Sequence, residues 1–160
     1  QRGTYVFRLA ADQVAPISEL REVLEVAALK AAMARHRHAL IRRLSEISDE
    51  MGKALKSSAS VRYQRLDGEY HQAIIDLSGN PYFADAYGQI GFRIQALRSR
   101  LSDEARLNRL SIRDHREMLK LIKAGDVAAV VALMRAHIDH TKRCYLEILE
   151  QNDVLAQEVA

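Results

Sequence analysis

Beyond the first few residues, apolar positions recur every three to four residues and never alternate strictly, so the pattern predicts helices and no sheet. From Ile17 the series Ile17, Leu20, Leu24, Ala27 and Ala31 predicts a first helix ending near Arg35. Ser18 suits its N-cap, and Glu19 and Glu22 lie where the helix dipole favours acid. Leu40, Leu44, Ile47, Met51 and Leu55 predict a second helix from about Ala39, with the turn at Lys56 to Ser60 after it. A third, about Val61 to Ser78, lines up Tyr63, Leu66, Tyr70, Ile74 and Leu77. Gly79-Asn80-Pro81 then supplies a left-handed C-cap, an N-cap and the first position of a fourth helix. That helix, about Pro81 to Leu101, carries Phe83, Tyr87, Ile90, Ile94, Leu97 and Leu101 on one face. A fifth carries Ile112, His115, Leu119 and Ile122 and ends at Gly125. Asp126 caps a sixth, about Val127 to Glu150, with Val130, Met134, His137, Thr141, Cys144 and Ile148 as its stripe. Six helices with short links predict an all-α antiparallel bundle over about residues 17–150, followed by a polar tail at 151–160.

Ahead of the bundle, Gly3-Thr4-Tyr5-Val6-Phe7 has the character of a short strand, and residues 8–16 form a linker ending at Pro16. No partner strand follows, so residues 1–7 are either a frayed tail or one strand of a pair whose other member lies upstream of Gln1.

Composition narrows the class. A chain of 160 residues, 48% hydrophobic and 28% charged, is one domain's worth and too apolar for disorder. The formal charge of +3 is small and its basic residues are interspersed with acidic ones, which argues against this bundle being a nucleic-acid surface itself. One cysteine, Cys144, excludes an internal disulfide and a thiolate zinc cage. With no signal peptide and no apolar run near membrane-spanning length, the expectation is a cytoplasmic protein with no membrane partner.

The chemistry lies in the polar residues set on or beside the stripes. Asp67 and His71 are one helical turn apart on one face. His115 and His137 lie on apolar stripes of two other helices. A single such histidine is more often a hydrogen-bonded core residue than a ligand. Together with a carboxylate, whose burial is costly unless paired or metal-bound, the three point instead to a divalent first-row metal held by Asp67, His71, His115 and His137. Imidazole favours zinc, nickel, copper or iron and the carboxylate admits manganese; zinc leads. Four protein ligands on a six-coordinate ion leave two positions, enough for a small organic acid. His140, three residues after His137, is the alternate ligand, while His36 and His38 fall among basic residues and read as solvated. Arg21 and Arg93, at the edges of their stripes, are candidates to bind a carboxylate ligand.

Several segments in sequence resemble the C-terminal effector-binding FCD domain of the FadR subfamily of GntR-type bacterial transcriptional regulators. They are Glu19-Leu20-Arg21-Glu22 with Leu24-Glu25, Leu66-Asp67-Gly68-Glu69-Tyr70-His71, Gly79-Asn80-Pro81, Asp114-His115-Arg116, Ile122-Lys123-Ala124-Gly125-Asp126 and Met134-Arg135-Ala136-His137. The resemblance covers about residues 17–150. It implies a helical bundle holding a metal through Asp67, His71, His115 and His137, the same four that the stripes single out, and it places Arg21 in the family's pattern. It further implies that Arg2 to Val6 is the last wing strand of a winged helix-turn-helix lying upstream, that the chain is a fragment which does not read operator DNA by itself, and that it forms a homodimer. Three functions follow as expectations: a metabolite sensor that alters operator binding by a linked domain, a metal-dependent hydrolase or oxygenase using the same site, or a plain dimerisation module with structural histidines.

Overall fold

The computed structural model describes residues 11–100 and 105–158, with side chains through Glu150. It consists of α1 (Ala11–Lys56), α2 (Ser60–Asp76), α3 (Pro81–Arg100), α4 (Ala105–Ala124) and α5 (Val127–Glu158), and among the described residues there is no strand. The predicted bundle is therefore all-α, with five helices where the pattern suggested six. The first two predicted helices are one, bent at His36, whose φ of −135° and ψ of 32° break the helical path. The apolar stripes on either side of that residue differ in phase, which is why they read as separate elements.

Three consecutive side chains hold the bend. Arg35 Nη1 donates to the Ser78 carbonyl oxygen and His36 Nδ1 to that of Leu77, each at 2.9 Å. Arg37 donates through Nε to the Ile122 carbonyl oxygen at 2.9 Å and through Nη2 to that of Lys123. These are the orphan carbonyls at the C-termini of α2 and α4, which a helix end otherwise leaves without partners. Both helices end on a left-handed glycine, Gly79 at φ 71° and Gly125 at φ 78°. The next helices start on side-chain caps: Asn80 Oδ1 accepts from the Tyr82 amide at 3.1 Å and Asp126 Oδ1 from that of Ala129 at 2.9 Å.

α1 packs against each of the other four helices. Its buried face runs through Val14, Ile17, Arg21, Leu24, Glu25, Ala28, Leu29, Ala32 and Met33. Leu20, placed in the core by the apolar spacing, is 43% exposed. The helix begins at Ala11, so residues 11–16 are its opening turns rather than a linker. Pro16 lies inside it and forgoes one backbone bond. At the other end α5 continues to Glu158, through most of the tail. The expected strand at residues 1–7 and Leu101 lie outside the described residues. Among the described residues no helix is long and apolar enough to cross a membrane.

Candidate metal centre

Three helices bring side chains to one buried polar cluster. α2 carries Asp67 and His71 at i and i+4, α4 carries His115 and α5 carries His137; all four are buried, His71 and His115 completely. One ring nitrogen from each histidine lies within 4.8 Å of the others. His115 Nε2 is 3.3 Å from His71 Nε2. The Asp67 carboxylate stands 3.8 Å from His115 Nε2 and 4.0 Å from His71 Nε2. Packing orders the rings: Tyr70 stacks on His115 with centroids 4.0 Å apart, and its hydroxyl donates to the His115 carbonyl oxygen at 3.0 Å.

Outside the ring of donors sit the groups that orient it. His71 Nδ1 is 2.8 Å from Glu25 Oε2, so the carboxylate takes the Nδ1 proton and leaves Nε2 with its lone pair facing inward. His137 Nδ1 faces Asp114 Oδ2 at 3.4 Å in the same manner. His115 Nδ1 is buried without a hydrogen-bond partner among the described residues, so that ring is held by the Tyr70 stack and by the contact of its Nε2 with His71. Glu25 also accepts from Arg21 Nε at 2.7 Å and from the Tyr87 hydroxyl at 2.8 Å. Asp67 accepts from Arg98 Nε at 2.6 Å and from the Ser111 hydroxyl at 2.9 Å.

The donor set fits a divalent first-row metal. Metal–ligand bonds of about 2.0–2.2 Å put neighbouring donors roughly 3 Å apart, close to the spacing of the two Nε2 atoms. A carboxylate-backed histidine is the usual form of such a ligand. One contact competes with this use of the site: Arg21 Nη2 lies 3.0 Å from His71 Nε2, so the guanidinium must surrender that bond if the nitrogen is to ligate.

Electrostatics favour neutral imidazoles and ionised carboxylates. Burial, with Arg21 and Arg98 adding to it and Glu25 opposing it, pushes His71 down to about 4. Burial also drives His115 well below the ordinary histidine value, against the pull of Asp67. Burial alone would raise both buried acids, but Arg21 and then His71 hold Glu25 far below the carboxylate range, and Arg98 followed by the histidines does the same for Asp67. His71 and His115 are thus ready to receive a cation without first shedding protons.

The other sequence candidates divide. Arg21 is in the cluster. Arg93 is not brought to it; its Nη1 donates to the Gln89 carbonyl oxygen at 3.1 Å on the outer side of α3. The arginine that α3 sends inward is Arg98, five residues on. His137, and not His140, joins the trio; His140 lies beside Cys144, with Nε2 3.8 Å from Sγ. His36 and His38 are exposed, as their surroundings suggested. Apolar spacing missed Glu25, Arg98 and the orienting role of Asp114. The signal for Glu25 was its i+4 spacing from Arg21; for Arg98 it was a place next to Leu97 on the α3 stripe.

A cavity of about 20 Å³, room for roughly one water, adjoins the cluster and is lined by Asp67, Arg98, Asn108, Ser111, His137 and Tyr145 among others. Leu107 and His140 line both this cavity and a groove of about 330 Å³ between α4 and α5.

The family model of the FCD domain matches residues 16–140. Among solved structures the fold is similar to the metal-free FCD domain of TM0439, a transcriptional regulator, with a TM-score of 0.77 and 21% identity over 91% of this chain and 99% of that one. It is similar as well to Lar, which controls expression of the Listeria monocytogenes agr system and mediates virulence, with a TM-score of 0.72 and 14% identity. That match covers 87% of this chain and 66% of Lar. No curated protein matches.

Proposed function

The chain belongs to the FCD domain family, and from that premise we propose that it is the effector-binding and dimerisation domain of a metabolite-responsive transcriptional regulator. In this reading it holds one divalent metal through Asp67, His71, His115 and His137. It binds a small organic acid at that metal and so alters operator binding by a linked DNA-binding domain. The observation that carries it is the inward convergence of three buried imidazole nitrogens beside a buried carboxylate, two of the rings backed by Glu25 and Asp114.

When bound, a divalent ion supplies a Lewis-acidic centre with positions open to the oxygens of an acid. The chain's own residues do the rest. Glu25 and Asp114 fix the tautomer and direction of His71 and His137. Tyr70 holds the plane of His115. Arg21 and Arg98 line the cavity as donors but are paired with Glu25 and Asp67, so the positive charge that favours an anion over a neutral ligand would come from the metal. Imidazole predominance suits zinc best, with nickel, manganese and iron as competitors. A binding role is favoured over hydrolysis or oxygenation because the carboxylates that could act as general base are taken: Glu25 by Arg21, His71 and Tyr87, and Asp67 by Arg98 and Ser111.

Elemental analysis of the purified chain tests the metal. The expected result is about one transition metal per chain, with Asp67→Ala losing at least about a hundredfold in metal affinity. A wild-type chain that binds no metal would leave the histidines structural. Gel shifts with a full-length regulator carrying this domain test the coupling, since effector and operator must change each other's affinity by the same factor. Operator affinity that is indifferent to every acid the domain binds would refute the sensor.

A further inference from the structure

The charge count inside the cluster says what kind of acid it can accept, given the metal-and-acid reading above. Arg21 is answered by Glu25 and Arg98 by Asp67, charge for charge. The partly exposed Asp114 is met on its outer side by Arg113 at 3.3 Å. Histidines that ligate are neutral. Holding a divalent cation therefore leaves two positive charges without counter-ions in a buried site. A monocarboxylate would balance only one of them.

The second observation is the state of Arg98. The residue is buried, and its Nε is committed to Asp67 at 2.6 Å. Its Nη2 is buried too, yet has no hydrogen-bond partner among the described residues, although the side chain lines the cavity beside the cluster. A buried guanidinium donor without an acceptor is costly, and folded proteins rarely leave one so. Arg21 spends its Nε on Glu25 and its Nη2 on His71, and that Nη2 is released only when a metal takes His71 Nε2, whereas Arg98 Nη2 is without an acceptor among the described residues before any metal binds.

We infer that the acid is a short dicarboxylate, one carboxylate meeting the metal and the other accepting from Arg98 Nη2. Arg98 then joins the ligand's far end to a metal-ligating carboxylate through a single planar group, since Nε stays on Asp67 while Nη2 takes the acid. The way in is the groove between α4 and α5, which shares Leu107 and His140 with the cavity; Arg106, Arg143 and Glu147 also line it, Arg143 being paired with Asp139. The cavity as it stands holds about one water, so even a four-carbon diacid enters only as the side chains and helices around it part, and long or branched acids are disfavoured further.

Calorimetric titration of the zinc-loaded chain with succinate and with butyrate, which has the same carbon chain and one carboxylate fewer, tests this directly. Succinate is expected to bind at least about tenfold more tightly. Arg98→Gln should remove that preference while elemental analysis still finds zinc, and Arg98→Lys, which keeps the charge but not the fork, should restore part of it. Equal affinity of the two acids for the wild-type chain overturns the inference and leaves the metal-and-acid reading standing, as does an Arg98→Gln variant that holds zinc and keeps the preference. Retained zinc with no binding of either acid, or of any other small carboxylate, overturns both. The wild-type comparison needs no variant, so the inference stays exposed to refutation even if Arg98→Gln fails to fold.

Discussion

Glu25 shows how much of this site depends on one residue that never touches a metal. It is fully buried and accepts from Arg21, His71 and Tyr87, three donors from three helices. Glu25→Ala leaves the Arg21 guanidinium, 3% exposed, without its counter-ion; breaking a buried pair in this way costs about 3–5 kcal/mol. Glu25→Gln keeps the shape and loses the charge, so we expect a smaller loss of stability with a metal affinity reduced about 10–100-fold, because His71 is no longer held in its tautomer. Urea unfolding read beside a metal titration separates the two effects. Residues of this kind were the hardest to find in sequence. Asp67, His71, His115 and His137 stand out because a polar group on an apolar stripe demands a reason. Glu25 and Arg98 are charged residues in a chain rich in them, and only the fold shows that they point inward while Arg93 points out.

At the scale of elements, the bend in α1 and the two glycine turns form one unit. Gly79 and Gly125 both adopt the left-handed conformation, for which an L side chain pays about 1 kcal/mol. Their surroundings differ. A Cβ on Gly79 would meet His36 Cε1 at 2.9 Å, a ring pinned by its bond to the Leu77 carbonyl. On Gly125 the nearest atom is Arg37 Nη2 at 3.2 Å, a less severe approach although that guanidinium is itself bonded to the Ile122 and Lys123 carbonyls. Gly79→Ala should therefore destabilise by about 2–3 kcal/mol and Gly125→Ala by about 1–2 kcal/mol, an order that paired denaturation curves will show. The turns themselves were legible, since Gly-Asn-Pro and Gly-Asp carry their conformation in their residue types. Helical register was less so. On α1 the core face includes Arg21 and Glu25, so apolar spacing alone slid toward Leu20, Ala27 and Ala31, of which Leu20 is clearly exposed. On α5 the predicted stripe holds through Val130, Met134 and His137, but the buried residues then become Ile138, Tyr145 and Leu149 rather than Thr141, Cys144 and Ile148. A long straight helix drifts relative to a fixed repeat, and the neighbours it meets at each end decide which residues face inward.

For the molecule as a whole, site and core are the same place, because the cluster is built from α1, α2, α3, α4 and α5 at the centre of the bundle. Its protonation is therefore a stability term for the entire domain. In chelator-treated protein His71, lowered to about 4, and His115, lowered well below its ordinary value, are neutral in the folded state where the unfolded chain would bind protons. Above an unfolded histidine value of about 6.5 neither state is protonated there and stability is flat with pH. As pH falls from about 6.5 toward 4 the unfolded chain takes up protons that the folded one refuses, so stability is lost at up to about 1.4 kcal/mol per pH unit for each of the two histidines. Below about 4.5 the loss steepens, because Glu25 and Asp67 are ionised in the fold by Arg21 and Arg98 and must be protonated as it opens. Thermal melts of the stripped chain across this range should show a plateau, then a decline beginning near 6.5. The metal-loaded chain should start from a higher melting temperature and keep that advantage through most of the interval, since His71 and His115 stay neutral in the fold and free to ligate until the pH approaches about 4. A stripped chain whose melting temperature rose on acidification would mean that the histidines enter the fold charged, paired with Asp67 and Glu25, and the cluster would then be a salt-bridge network instead of a metal centre.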